Sequence, residues 1–179
     1  MTVDTIAEQP VIVTDRLALR PLRLSDQGLL TLYAGDARVA RNTRSIPHPL
    51  PPGAAAAFIE RSHADTRRED IWAMDASAVG LTELLGVIGL ERLSTDRSEI
   101  GYWVAPAFWN TGFATEAVQA IIEANPQGVK TLFAAVFQSN PVSARVLTNA
   151  GFDYIGDAEA FCVAQNRTVP TWTYLRKLT

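Results

Sequence analysis

The chain has 179 residues, with 19 acidic against 16 basic side chains and a formal net charge of −3. This length suits one domain over 1–179 that buries roughly two-thirds of its unfolded surface, and no block of Lys or Arg forms a nucleic-acid stripe. The one cysteine, Cys162, excludes an internal disulfide, and no apolar run is long enough for a bilayer; a reducing, cytoplasmic location is expected.

Residues 1–10 lack a basic leader and an apolar run and are expected to be a loose tail. In 16–22, Leu17 and Leu19 fall on one face and Arg16 and Arg20 on the other, which predicts a strand with one wet side. Ser25 stands as an N-cap ahead of Leu29, Leu30, Leu32 and Tyr33, a short helix. Residues 41–53 hold too many prolines for helix or strand and predict an ordered or gating loop of the kind that borders a substrate. A second helix is predicted over 54–68. Three strands follow at 71–77, 84–93 and 97–104, whose short connections predict an antiparallel meander.

The stretch 99–124 organises the rest. Ile100, Tyr102 and Val104 alternate with Glu99, Gly101 and Trp103 as in a strand, whereas Ala117, Val118, Ile121 and Ile122 recur at helical spacing. Between them lies Trp109-Asn-Thr-Gly-Phe-Ala114. Gly112 and Ala114 at the mouth of a helix would let unpaired N–H groups approach an anion, so this turn predicts a phosphate or pyrophosphate cradle. The helix stops near Pro126 and Gly128, and 131–137 is apolar on both faces, as a central strand should be. Asn140 and Pro141 then open a helix over 142–150, closed by Gly151, and two strands at 152–161 and 171–177 end the chain.

Four motifs carry a resemblance: Thr14-Asp-Arg-Leu-Ala-Leu-Arg20, Glu99-Ile-Gly-Tyr-Trp-Val104, Trp109-x-x-Gly-x-Ala-Thr-Glu-Ala117 and Asn140-Pro-x-Ser-x-Arg-Val-Leu-x-x-Ala-Gly-Phe152. In this order and spacing the chain resembles the GNAT superfamily of acetyl-CoA-dependent N-acetyltransferases, in its RimJ/RimL-type branch of ribosomal-protein N-terminal acetyltransferases. The resemblance implies an α/β (α+β) fold with a mixed, mostly antiparallel sheet of about seven strands and about four helices, and a V-shaped splay between the fourth and fifth strands. It implies that acetyl-CoA lies in this splay, its pantetheine along the strand that ends with Trp103 and Val104 and its pyrophosphate on the turn Asn110, Thr111, Gly112, Phe113 and Ala114, with Trp109 and Thr115 also among the cofactor-binding residues. Asn140 and Ser143 would lie beside the pantetheine and the thioester sulfur. Asn110 and Thr111 stand where relatives commonly carry Gly and a basic or Gln residue. Loss of such a phosphate partner predicts acetyl-CoA binding about ten- to a hundred-fold weaker, unless Arg145 or Lys130 compensates.

Acetyl transfer needs a neutral amine, a polarised carbonyl and a protonated leaving thiolate. Glu99 can take the amine proton or stand as a solvated edge carboxylate paired with Arg97, and Glu91 is held in reserve. The N–H of Val104 or its neighbour can polarise the carbonyl. Ser143 can protonate the thiolate or merely satisfy backbone donors. Arg41, Arg44 and His48 in the proline loop can reach the acceptor, either a protein N-terminus or a small amine. His48 and His63 stand apart from other metal-binding side chains, so no metal is expected. The partners expected are acetyl-CoA and an amine, with no nucleic acid or membrane, and a homodimer is left open. A CoA-binding sensor of the same fold remains the alternative, and a nucleotide site is disfavoured because no Lys-Ser/Thr follows the glycine turn.

Overall fold

The computed structural model describes residues 9–178. Eight strands form one sheet in the order β1-β2-β3-β4-β5-β6-β8-β7. They are β1 Ile12–Val13, β2 Ala18–Pro21, β3 Glu69–Asp75, β4 Gly86–Arg92, β5 Arg97–Val104, β6 Thr131–Phe137, β7 Asp153–Cys162 and β8 Arg167–Lys177. The helices are α1 Gln27–Ala34, α2 Ala37–Ala40, α3 Ala54–Ser62, α4 Phe113–Ala124 and α5 Pro141–Asn149. The sheet is therefore mixed and mostly antiparallel, as expected, with a two-residue strand and a one-turn helix beyond the expected numbers.

The splay lies between the expected strands, now β5 and β6. These two pair in parallel only over Arg97 to Glu99 against Thr131 to Phe133, then separate. On its far edge β6 stays paired with β8 along its whole length. In the β4–β5 ladder the odd-numbered residues are bonded, since Leu93 N–H donates to the Arg97 carbonyl and Ala105 N–H to that of Leu85. The alternation of an antiparallel ladder then turns the backbone of Tyr102 and Val104 away from β4 and into the gap that β6 has left.

Strand parity divides the molecule into two faces. Trp72, Ile88, Ile100 and Val104 pack with α4 and α5 through Val118, Ile121 and Leu147. On the opposite face Ile71, Ala73 and Val87 pack with α1 and α3 through Leu30, Ala55 and Ile59, joined by Trp103. The register Glu69↔Glu91↔Glu99 places three carboxylates in one row on this second face, because directly paired residues share a side.

Several expectations are corrected. Arg20 is not on a wet side: only 9% exposed, it donates to both oxygens of Asp26 and to Asp75, at 2.8–2.9 Å. Arg16 lies over Phe113, 4.0 Å from the ring centroid, and pairs with Glu116 at 2.8 Å. A carboxylate, not Ser25, serves the first helical turns, where Asp26 accepts from Arg23 N–H. The helix predicted to reach residue 68 ends at Ser62, because beyond it only the small Ala64 is apolar as far as Arg68, too little to hold a further helical turn against the sheet. His63, which falls within the predicted helix, lies just past its observed end and meets the Leu22 carbonyl through Nε2 at 2.5 Å. Of the expected loose tail, residues 1–8 lie outside the described residues, while Gln9 and Pro10 are bonded to Ile71 and Trp72. Among the described residues, no helix is long and apolar enough to cross a membrane.

Candidate active site

The separation of β5 from β6 opens a cavity of about 1110 Å³ that connects the two faces of the sheet. Its walls include Tyr102, Val104, Ala135 and Val136 from the two splayed strands. At one end is the turn that leads into α4. Asn110 (φ 60°) and Gly112 (φ 83°) both adopt left-handed backbone, which reverses the chain sharply and brings the helix mouth onto the cavity. The first helical bond is made by Glu116 N–H to the Gly112 carbonyl, so the N–H groups of Phe113, Ala114 and Thr115 have no partner within the helix. Three free donors at the positive end of a 12-residue helix, beside a cavity, fit a pyrophosphate.

Arg16 steadies this turn from behind. Its Nη1 donates to the Thr111 carbonyl at 3.0 Å while its Nε holds Glu116. The Thr111 hydroxyl donates to the Phe108 carbonyl. Trp109 donates its indole N–H to the Val104 carbonyl at 2.7 Å, which closes that acceptor and leaves the Val104 N–H side of the strand to the notch. Arg145 projects to the cavity from α5 with no carboxylate partner among the described residues and can meet phosphate; Lys130 does not border the cavity.

On the α4–α5 side, Asn140 caps α5 by accepting from Ser143 N–H at 3.4 Å, beyond the usual range for such a bond. Ser143 Oγ donates to the Tyr102 hydroxyl, which donates in turn to the Ser143 carbonyl, both at 3.0 Å. Burial pushes the Tyr102 phenol well above its ordinary value, against the opposing hydrogen bond from Ser143, so it stays protonated and fixes the serine beside the notch.

On the opposite face Glu99 is paired with Arg44 at 2.8 Å and not with Arg97. Glu91 stands between Glu69 and Glu99 in the register without bordering the cavity. Glu69 was not foreseen, and it borders the cavity with Glu99. It is exposed through that cavity, yet enough protein surrounds it that loss of hydration, followed by the charge of Glu91, raises its pKa; Arg44 opposes the rise. The charge-symmetric register about the 94–96 turn could have revealed Glu91 opposite Glu99, but placing Glu69 required the β3–β4 register as well.

The proline loop borders the cavity, as expected, through Arg44, Ile46, Pro47 and Leu50, whereas Arg41 and His48 stand outside it. The β7–β8 turn holds this loop: Val163 N–H donates to the Arg44 carbonyl at 3.1 Å and Gln165 Nε2 to that of Arg41 at 3.0 Å. Among the described residues no cluster of side chains could hold a metal ion.

In the neighbouring row on the same face the sheet carries Gly89 and Gly101, directly opposite each other and two residues along from Glu91 and Glu99. A Cβ on Gly89 would meet the Glu69 carboxylate oxygen at 2.7 Å, while one on Gly101 would meet open space. The hollow beside Gly101 is where an acceptor can lie. Gly101→Leu should fill it, raising the acceptor KM by about ten-fold or more with acetyl-CoA affinity and thermal stability little changed; steady-state kinetics and a melting curve check this.

Residues 16–153 match the family model described as Acetyltransferase (GNAT) domain. A relative from Bacillus subtilis (strain 168), the uncharacterized N-acetyltransferase YoaA, is 29% identical over 157 residues, 82% of this chain and 85% of its own. The microcin self-immunity acetyltransferase MccE, solved with acetyl-CoA and AMP, superposes with a TM-score of 0.80 at 17% identity over 96% of this chain and 99% of that one. RimL, a ribosomal alpha-N-protein acetyltransferase solved with coenzyme A, gives 0.74 at 15% identity over 94% and 98%. With the family model covering most of the chain and the notch, helix mouth and splayed strands all present, the protein belongs to the GNAT acetyltransferase family: it is an acetyl-CoA-dependent acetyltransferase with the fold of the RimJ/RimL-type enzymes that its motifs resemble.

Proposed function

We propose that the enzyme transfers acetyl from acetyl-CoA to a primary amine by direct attack in a ternary complex, within a single cytoplasmic domain. One observation carries this reading: the splay joins a hydroxyl pair, Ser143 and Tyr102, on one face of the sheet to a carboxylate pair, Glu69 and Glu99, on the other. The pantetheine would follow the open backbone of Tyr102 and Val104 from the α4–α5 side, and the amine would enter over Gly101. Glu99, oriented by Arg44, and Glu69, with its raised proton affinity, would draw the ammonium in and take its proton directly or through one water. The amine lone pair forms the new N–C bond as the C–S bond breaks and the Val104 N–H polarises the thioester carbonyl; the Ser143 hydroxyl gives its proton to the departing thiolate, and the second proton shed by the acylated nitrogen returns through water to Ser143 Oγ.

Ser143→Ala tests the leaving-group side. It should lower kcat about a hundred-fold while leaving the acetyl-CoA Kd, measured by calorimetry, unchanged. Unchanged kcat would return Ser143 to the role of a helix first-turn serine. Initial rates over a grid of both substrates should give intersecting reciprocal plots; parallel plots would mean a covalent acetyl-enzyme and refute direct attack.

A further inference from the structure

The charges around the acceptor half of the cavity do not balance. Five arginines border it, Arg38, Arg44, Arg61, Arg67 and Arg68, against the two glutamates. Three are already matched: Arg38 by Asp36 at 2.7 Å, Arg44 by Glu99 at 2.8 Å and Arg67 by Asp70 at 3.0 Å. Arg61 and Arg68 have no carboxylate partner among the described residues. The Arg61 guanidinium lies 5.8 Å from the ring centroid of Phe58, which lines the same cavity, and the Arg68 backbone is held immediately before Glu69 by its carbonyl, which accepts from Arg92 N–H at 2.9 Å, so that Arg68 borders the cavity beside that carboxylate.

Resting on the acetyl-transfer reading above, we infer that the acceptor is a small primary amine that also carries an anionic group, a carboxylate or a phosphate, bound by Arg61 and Arg68. The complement of this half-cavity is a molecule with opposite charges at its two ends. The carboxylate pair on the sheet receives the ammonium, the apolar wall of Leu30, Ala55, Phe58 and Val87 accommodates a short spacer, and the two guanidinium groups meet the anion. Planar guanidinium groups suit carboxylate and phosphate alike by paired N–H bonds. A polyamine would bring its second ammonium against the same arginines and be repelled.

The test is thiol release from acetyl-CoA with four amines of similar length: γ-aminobutyrate, O-phosphoethanolamine, n-butylamine and 1,4-diaminobutane. The wild-type enzyme should prefer one or both anionic amines over butylamine by about ten-fold or more in kcat/KM, with the diamine slowest; which anion leads separates carboxylate from phosphate. The double variant Arg61→Glu, Arg68→Glu should reverse the order of anionic amine and diamine, and its melting temperature should stay near wild type because both side chains are exposed. Preference for the diamine by the wild type, or an unchanged order in the double variant, would overturn the inference alone. No release with any of the four amines, where an N-terminal peptide does release thiol, would also overturn the inference alone; no release with the peptide either, despite acetyl-CoA binding, would overturn the acetyl-transfer reading and this inference with it.

Discussion

Glu69→Gln is expected to lower kcat/KM by about a hundred-fold at neutral pH, the lower end of what a positioned general base contributes. Burial and the neighbouring charge of Glu91 raise the Glu69 carboxyl above the 4.5 of an ordinary glutamate. The acidic limb of the wild-type kcat/KM profile should therefore lie above that value, since only the deprotonated form can accept a proton from the acceptor. The variant should lose that limb together with its rate. Stability gives an independent readout. A carboxyl whose folded pKa is raised contributes stability that is fully present below its unfolded pKa and lost as pH rises through the folded one. Glu69→Gln should thus melt above wild type at pH 7, and the difference should close towards pH 4. A residue that only props the sheet would not link rate, pH limb and stability in this way. Glu99→Gln should act differently: with Arg44 left without its partner, the acceptor KM should rise more than kcat falls.

The largest effect on stability is expected at Arg20. Its guanidinium holds Asp26 through two bonds and Asp75 through a third, and it donates a further one to the Glu83 carbonyl at 2.9 Å. These contacts tie β2 to β3 and to the turn before α1. Arg20→Leu leaves two carboxylates, 1% and 7% exposed as residues, with Asp26 stripped of its counter-charge and Asp75 facing only the more distant Arg23 at 3.9 Å. Removing one partner of such a buried set costs about 3–5 kcal/mol, and for a chain of this length that lowers Tm by roughly 10 °C. The sign with pH follows from Asp75. Burial alone would raise its pKa, but the hydrogen bonds from Arg20 and Ser77 outweigh that and hold it below the ordinary 3.8. Its stabilisation is present above the unfolded pKa and is lost as pH falls through the folded one. The penalty of Arg20→Leu should accordingly be greatest near neutral pH and shrink in acid, where the carboxylates of the variant protonate. Thermal melts at pH 7 and pH 4 read both parts.

Much of the fold was legible because it depends on local pattern. The strand 97–104, the glycine turn at Gly112 and the Asn140–Pro141 helix start carry period, backbone and capping signals within a few residues, and the structure reproduces them. Arg20 was misread because alternation places a charge on a face but does not reveal that Asp26 and Asp75, 6 and 55 residues away, converge there. The acceptor side was the least legible for the same reason. Glu69 gains its character from a register across three strands, and the partner of Glu99 comes from the proline loop, 55 residues earlier, rather than from Arg97 two positions away. The cofactor side was read from contiguous residues, whereas the acceptor side is assembled from distant ones.

The claim at the centre of this account is that the two substrates meet from opposite faces of the sheet through the gap between β5 and β6. A crystal structure with a bisubstrate adduct, coenzyme A joined through its sulfur to an amine by an acetyl bridge, tests it most directly. The account predicts the pyrophosphate on the N–H groups of Phe113 to Thr115, the sulfur beside Ser143, and the amine over Gly101 within hydrogen-bond or single-water reach of Glu69 or Glu99. An adduct whose amine stays on the α4–α5 side, away from both carboxylates, would contradict it.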